Sequence, residues 1–251
     1  MNDLTLIVCY YRNMQMLQRQ VEEWNKYPPG IKVICVDDGS PEPARPIIED
    51  SLFCRRMSHV QLYRIGIDRP WNREGARNLG AHVATTDWII QVDIDHVMSG
   101  QTAELLLRPN FFTPNPNKWY RFPRWRVGAA DETRLKDAIP KDADYGQIHP
   151  HVDSYLVRRD VYWKVGGYNE DFAGAIGGGN EFLHRLELAQ PVDILPPPIR
   201  LEVYTRAVIK DASDWSLSRD KTEYTKRRKI IEAKGNPKPK NPLRFEWKRE
   251  L

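Results

Sequence analysis

Apolar residues along the chain fall into two alternating patterns. Leu4 to Tyr11 (LTLIVCYY), Ile31 to Val36, Val60 to Ile65 and Trp88 to Val92 are short continuous apolar runs rich in β-branched residues, as expected of strands buried on both faces. Between the first two, Leu17, Val21 and Trp24 recur at helical spacing behind Asn13, a good N-cap residue, and Pro28-Pro29-Gly30 ends the pattern. A short helix is expected within Pro43 to Phe53, and an Ala-rich helix from about Arg73 to Ala84, followed by a turn at Thr85-Thr86-Asp87. Strand and helix alternate, which predicts an α/β fold with a mostly parallel sheet, right-handed crossovers and flanking helices.

The polar residues that end these runs give the pattern a chemical direction. In open parallel sheets ligands bind outside the carboxyl ends of the strands. That rim would carry Tyr10 and Tyr11, Asp37-Asp38-Gly39-Ser40, and Asp93-Ile94-Asp95-His96. Asp93 and Asp95, one residue apart at the end of a buried strand, repel each other unless a cation holds them, and Mg²⁺ or Mn²⁺ suits such carboxylates. Turn capping is the alternative reading of each Asp, because Asp commonly closes a strand end. Arg73 and Arg77, four apart on the preceding helix, would face a diphosphate or form a solvated helix face.

Beyond Ser99 the pattern loosens. Trp119 to Val127 (WYRFPRWRV) reads as one strand-like segment whose Arg and aromatic residues either stack on an acceptor or belong to the core. His149 and His151 lack zinc spacing and are expected in a substrate-facing or structural role. Gly177-Gly178-Gly179 permits close backbone approach to a ligand and leads into Asn180-Glu181 and a helix through Leu188. A further strand is expected over Ile199 to Ile209 and a basic helix over Leu217 to Ala233, with a Pro- and Lys-rich tail behind it.

Composition narrows the setting. The 251 residues suffice for one large α/β domain, and no apolar run approaches the length of a membrane span. With no secretory leader pattern and an odd cysteine count of three, a cytoplasmic setting is expected. The net charge is +4, yet residues 221 to 251 hold eleven Lys or Arg against four Glu, so the preceding body is acidic. Such a tail suits contact with a polyanion, a membrane surface or another subunit.

LIVCYYRN, VDDGSPEP, NREGARNLGAHVATTDWIIQVDIDHVM and VGGYNEDFAGAIGGGNEFLHRL, in this order, resemble the family 2 glycosyltransferases, nucleotide-sugar enzymes of the GT-A (Rossmann-like) fold. The resemblance implies a domain over residues 1–210, with a nucleotide-sugar-binding half (1–98) and an acceptor-binding half (99–210), and a basic helical extension over 211–251. It implies a metal-dependent transfer from a nucleoside diphosphate sugar, with a UDP-sugar expected, onto a hydroxyl acceptor, with inversion favoured and retention the alternative, since retaining relatives share the Asp-Xaa-Asp and a His beside it. Asp38 would bond the donor base, Tyr10 or Tyr11 would stack on it, and Asp93 would take the ribose side. Asp95, joined by His96, would hold the metal, and Arg73 and Arg77 would contact the donor. Relatives carry Glu-Asp after the glycines where this chain has Asn180-Glu181, so Glu181 would take the acceptor proton, with Asp171 in reserve. The later metal-binding His of many relatives has no counterpart, since no His follows His184. A glycan, lipid-linked or small-molecule acceptor is implied, with a hydroxylated base in DNA as a second version. A nucleotidyltransferase and a non-catalytic nucleotide-binding module are the rival classes.

Overall fold

A computed structural model describes residues 3–50, 58–127, 146–174 and 177–204, together with 225–226, 229–230, 232–235, 238–240 and 242–251 of the C-terminal segment. The expected α/β alternation is observed: β1 (Leu4–Tyr10), α1 (Met14–Trp24), β2 (Ile31–Asp37), α2 (Ala44–Glu49), β3 (Val60–Ile65), α3 (Arg73–Val83) and β4 (Trp88–Val92). Asn13 caps α1 as its sequence predicts, its side-chain oxygen accepting from Met16 N at 3.2 Å. Four parallel strands lie in the order β4, β1, β2, β3, with Val8 opposite Val92 and Tyr10 opposite Asp37. Their carboxyl ends therefore share one rim. The chain reverses its winding direction between β1 and β4, where a crevice opens in sheets of this kind.

β1 divides its side chains between two cores, because successive residues of a strand point to opposite faces. Leu6, Val8 and Tyr10 join Leu17, Val21 and Trp24 of α1 on one face, while Ile7 packs with Ala76 and Leu79 of α3 on the other.

The later strands extend the sheet and add a second one. β5 (His96–Met98) and α4 (Gly100–Leu107) follow the acidic turn; β6 (Trp119–Arg121), β9 (Tyr155–Arg158) and β10 (Val192–Ile194) complete one side of the eight-stranded sheet. β7 (Arg124–Val127), β8 (Gln147–Ile148) and β11 (Leu201–Tyr204) join β5 in a four-stranded sheet. The single segment expected over Trp119 to Val127 is thus two strands in different sheets. Phe122-Pro123 breaks it, since Pro offers no N–H to continue a ladder. Trp119 and Tyr120 belong to the core, whereas Trp125 is half-buried. β11 accounts for the start of the strand expected from Ile199, and its continuation lies outside the described residues, as does most of the helix expected over 217–233.

β9 runs antiparallel between β4 and β6, so the loop before it, residues 149–154, arrives beside the acidic turn after β4. α5 (Arg159–Lys164), a 3-10 turn (Glu170–Phe172) and α6 (Gly178–Ala189) follow. At the far edge β12 (Trp247–Arg249) pairs antiparallel with β3. The segment leading to it is fastened by Glu170, a buried carboxylate that accepts from Asn78 Nδ2 on α3 (2.8 Å), Leu243 N (2.7 Å) and Arg244 N (3.1 Å). Glu170→Ala removes the acceptor shared by all three, of which the Asn78 amide is fully buried. The expected loss is about 2–3 kcal/mol, with earlier proteolysis of the C-terminal segment than in the wild type, checked by chemical denaturation and limited trypsin digestion.

Candidate active site

A cavity of about 340 Å³ opens at the shared strand rim, between the ends of β1, β2 and β4, the start of α3, residues 151–153 and the start of α6. It is lined by Tyr10, Tyr11, Asp38, Trp71, Arg73, Arg77, Asp93, Asp95, His151, Asp153, Gly177 and Asn180, among others. Seven of the nine residues singled out from sequence are thus brought together here. His96 lies directly behind, and Glu181 is the exception.

The acidic turn is organised by buried arginine. Arg77 is 1% exposed and donates through Nη2 to Asp93 Oδ1 at 2.5 Å and through Nη1 to the Asp153 carbonyl at 2.8 Å. It is therefore no solvated helix face: α3 packs against β1 and β2, and Arg77 reaches the turn after β4. Burial alone would raise the Asp93 carboxyl, but Arg77 and the neighbouring His151 hold it well below the usual carboxylate range. Arg73, four residues earlier, donates to Asp153 Oδ2 at 2.6 Å and lies over the Trp71 ring at 5.2 Å. Burial opposes ionisation of Asp153 too, yet Arg73 and Arg77 keep its carboxyl below the ordinary value.

Asp93, His96 and His151 each offer a ligand atom within 4.8 Å of the others, the one such cluster of three among the described residues. His151 Nδ1 stands 3.2 Å from Asp93 Oδ2. His96 is buried, its ring 5.0 Å from that of His151, with Nδ1 at 2.6 Å from Ser154 Oγ and Nε2 at 3.1 Å from Arg124 Nη1. Arg124 has no acceptor capacity, so the proton sits on Nδ1, which donates to Ser154, and Nε2 carries the one lone pair, which Arg124 holds here and would have to yield to an ion. Burial pushes His96 down to about 4 and keeps it neutral, as a metal ligand must be. A carboxylate and two imidazoles fit a divalent transition ion such as Mn²⁺ better than Mg²⁺, which favours all-oxygen ligation. Asp95 lines the cavity beside this cluster without belonging to it, while Asp93 belongs to it.

The base-facing side is built by the turn after β2. Gly39 adopts φ +68° and Asp37 accepts from Ser40 N, Ala44 N and Arg64, which frees the next residue, Asp38, to face the cavity. Asp38 Oδ1 accepts from Asn72 Nδ2 at 3.0 Å. Burial, reinforced by the nearby charge of Glu74, pushes the Asp38 carboxyl well up. Glu74 is itself fully buried and raised by burial. Tyr10 and Tyr11 separate as strand alternation demands. The Tyr10 ring is in the core with its hydroxyl donating to the Glu42 carbonyl at 2.9 Å, while Tyr11 sits at the rim and donates to Asp68 at 2.7 Å.

Both raised carboxyls bind protons more tightly in the folded chain than in the unfolded one. Their contribution is fully present below the unfolded carboxylate range and is lost as pH rises through the folded values. Glu74→Gln removes one of the two charges and keeps an acceptor for Arg73. It is expected to raise the thermal midpoint at pH 8 by about 2–4 °C and to change it little at pH 5, read from melting curves at both pH values.

Glu181 lies in the first turn of α6, buried, with both carboxylate oxygens held by Arg185 one helical turn on, at 2.8 and 2.7 Å. Its neighbour Asn180 lines the cavity instead. The Glu181–Arg185 spacing of four was readable as an internal ion pair. Asp171 is exposed and joined to Arg244 at 2.8 Å. Sequence reasoning passed over Trp71 and Asp153, and took His151 for a residue outside the metal site. The alternate-residue pairing of His149 and His151 was the one signal toward the last.

The profile described as Glycosyl transferase family 2 matches residues 5–166, more than half of the chain. No curated protein matches it. Solved structures of similar fold include residues 1–349 of S. aureus TarS in complex with UDP-GlcNAc, with TM-score 0.65 and 13% identity over 91% of this chain and 66% of that one. GalNAc-T7 with UDP, GalNAc and Mn²⁺ aligns with TM-score 0.61 and 14% identity over 92% of this chain and 47% of that one. The mannosyltransferase PcManGT from Pyrobaculum calidifontis with GDP-Man and Mn²⁺ gives TM-score 0.55 and 16% identity over 96% and 66%. This chain therefore spans less than two thirds of the length of these proteins, and the likeness is one of fold. No helix among the described residues is long and apolar enough to cross a membrane.

Proposed function

Because the chain belongs to glycosyl transferase family 2 and is a glycosyltransferase of GT-A fold, we propose that its rim cavity binds a nucleoside diphosphate sugar and transfers the sugar to a hydroxyl acceptor. The observation that carries this reading is the convergence of Asp38, Arg73, Asp93 and His151, from four separate segments, on one cavity at the strand carboxyl ends. Asp38 accepts a ring N–H of the donor base. Asn72 fixes the carboxylate through Oδ1, and an acceptor so placed takes the imide N–H of uracil, the base of a UDP-sugar. Tyr11 and Trp71 flank the nucleotide.

Arg73 reaches the diphosphate directly, being partly exposed to the cavity, whereas Arg77 acts by holding Asp93 in place. Asp93, His96 and His151 would hold a divalent ion, Mn²⁺ in preference to Mg²⁺, and Asp95, which lines the same cavity, would serve the ribose or the ion. When bound, the ion neutralises the negative charge that develops on the departing diphosphate. Inversion at the sugar carbon is the expected outcome, with the acceptor oxygen approaching opposite the leaving phosphate.

The test is nucleoside diphosphate release from UDP-glucose, UDP-GlcNAc and GDP-mannose with Mn²⁺, using water as the default acceptor. The reading predicts release of UDP, dependent on metal. Pyrophosphate release, or no release and no binding of any of the three, contradicts it.

A further inference from the structure

α6 begins on Gly178 and Gly179, behind its cap residue Gly177, and the space the side chains of these two would fill is occupied by carboxylates from elsewhere in the chain. A Cβ on Gly178 would overlap Glu74 Oε1, and a Cβ on Gly179 would overlap Asp153 Oδ1. The first turn of this helix therefore has no acid of its own at these positions and receives two from α3 and from the loop before β9. Of the pair, Asp153 lines the cavity and Glu74 does not. Glu181, the one acid in the first turn of α6, is closed off by Arg185.

Resting on the sugar-transfer reading, we propose that Asp153 is the general base, taking the proton of the acceptor hydroxyl across the first turn of α6. Its position is fixed from three sides: Arg73 donates to Oδ2, the Tyr168 hydroxyl donates to Oδ1 at 3.2 Å, and Arg77 donates to its carbonyl. Each oxygen of an ionised carboxylate accepts more than one hydrogen bond, so capacity for an acceptor O–H remains. In the step, the acceptor O–H bond breaks and its proton passes to the Asp153 carboxylate. The acceptor oxygen forms a bond to the anomeric carbon, and the bond from that carbon to the phosphate oxygen breaks, its electron pair leaving with the diphosphate. Donor, acceptor and carboxylate balance the reaction without a further reactant. Asn180 and Gly177 line the same cavity as Asp153.

The test uses the full chain with Mn²⁺ and whichever of the three donors above gives the fastest diphosphate release. Asp153→Ala and Asp153→Asn are expected to lose that release at least a hundredfold while binding UDP within about threefold of wild type. Azide, a nucleophile that carries no proton to remove, is expected to restore diphosphate release to Asp153→Ala with formation of a glycosyl azide. Gly179→Asp, placed in the Asp153→Ala background, supplies a carboxylate from α6 into the vacated space and is expected to recover at least tenfold. Wild-type rates in both variants overturn the assignment. So does a loss matched by an equal loss of UDP affinity that neither azide nor Gly179→Asp reverses, since Asp153 would then only position Arg73. A wild-type chain that binds no nucleotide removes the underlying sugar-transfer reading, an outcome the binding measurement separates from the others.

Discussion

Asp93→Ala is expected to reduce metal-dependent diphosphate release by about 10²–10³-fold and to destabilise the fold at the same time. Both effects come from one carboxylate. Asp93 belongs to the cluster with His96 and His151, and its other oxygen is the acceptor for a guanidinium buried to 1% exposure. Removing it leaves Arg77 charged with a carbonyl and a phenol for partners, where its Nε already lacks one. Breaking a buried pair costs about 3–5 kcal/mol, and the lower figure applies because Asp93 itself keeps 24% exposure. Asp93→Asn keeps a hydrogen-bond acceptor for Arg77 but not the charge. It should recover part of the stability and little of the activity. Denaturant titration and donor turnover on the same preparations separate the two contributions.

Gly39→Ala is the second large effect. At φ +68° an L side chain is already strained, and here the new methyl would overlap the carbonyl of Ile67, which is backbone and cannot turn aside. The expected loss is about 2–4 kcal/mol. Gly39 directly follows Asp38, so relief of the overlap shifts the carboxylate that faces the donor base, and UDP affinity should fall at least tenfold. Gly235→Ala is the matching control. Gly235 has φ +74° with nothing near its Cβ direction, so only the conformational cost of about 1 kcal/mol remains. Thermal midpoints and UDP titrations of the two variants test the comparison.

The parts of this molecule that repeat locally were legible from its sequence. Parallel strands buried on both faces announce themselves as apolar runs, and each run that ends in Asp marks a strand end. For that reason Asp38, Asp93 and Asp95 could be placed on one rim before any coordinates. The same logic, followed one step further, separates Tyr10 from Tyr11, because alternation along β1 turns one inward. What was not legible arrives from far along the chain. His151 and Asp153 reach the site because β9 inserts antiparallel beside β4, a pairing that no spacing between His151 and Asp93 encodes. Asn180 and Glu181 were assigned by order within a motif, whereas helical geometry sends the second to Arg185 and the first to the cavity. Arg77 illustrates the converse: its spacing from Arg73 fits a solvated face, and only the packing of α3 against the sheet reveals it as the buried partner of Asp93.

The most direct measurement is the affinity for UDP by titration calorimetry in Mn²⁺ and in EDTA, on the wild type and on His151→Ala. His151 is partly exposed at the cavity, where its ring meets that of His96. If Asp93, His96 and His151 hold the ion that joins the diphosphate to the protein, UDP binds at least tenfold more tightly with Mn²⁺ than with EDTA. In His151→Ala that difference collapses, and the variant remains folded. Equal affinity in both buffers, or a metal-dependent gain that survives in His151→Ala, would contradict this placement of the metal and of the donor with it.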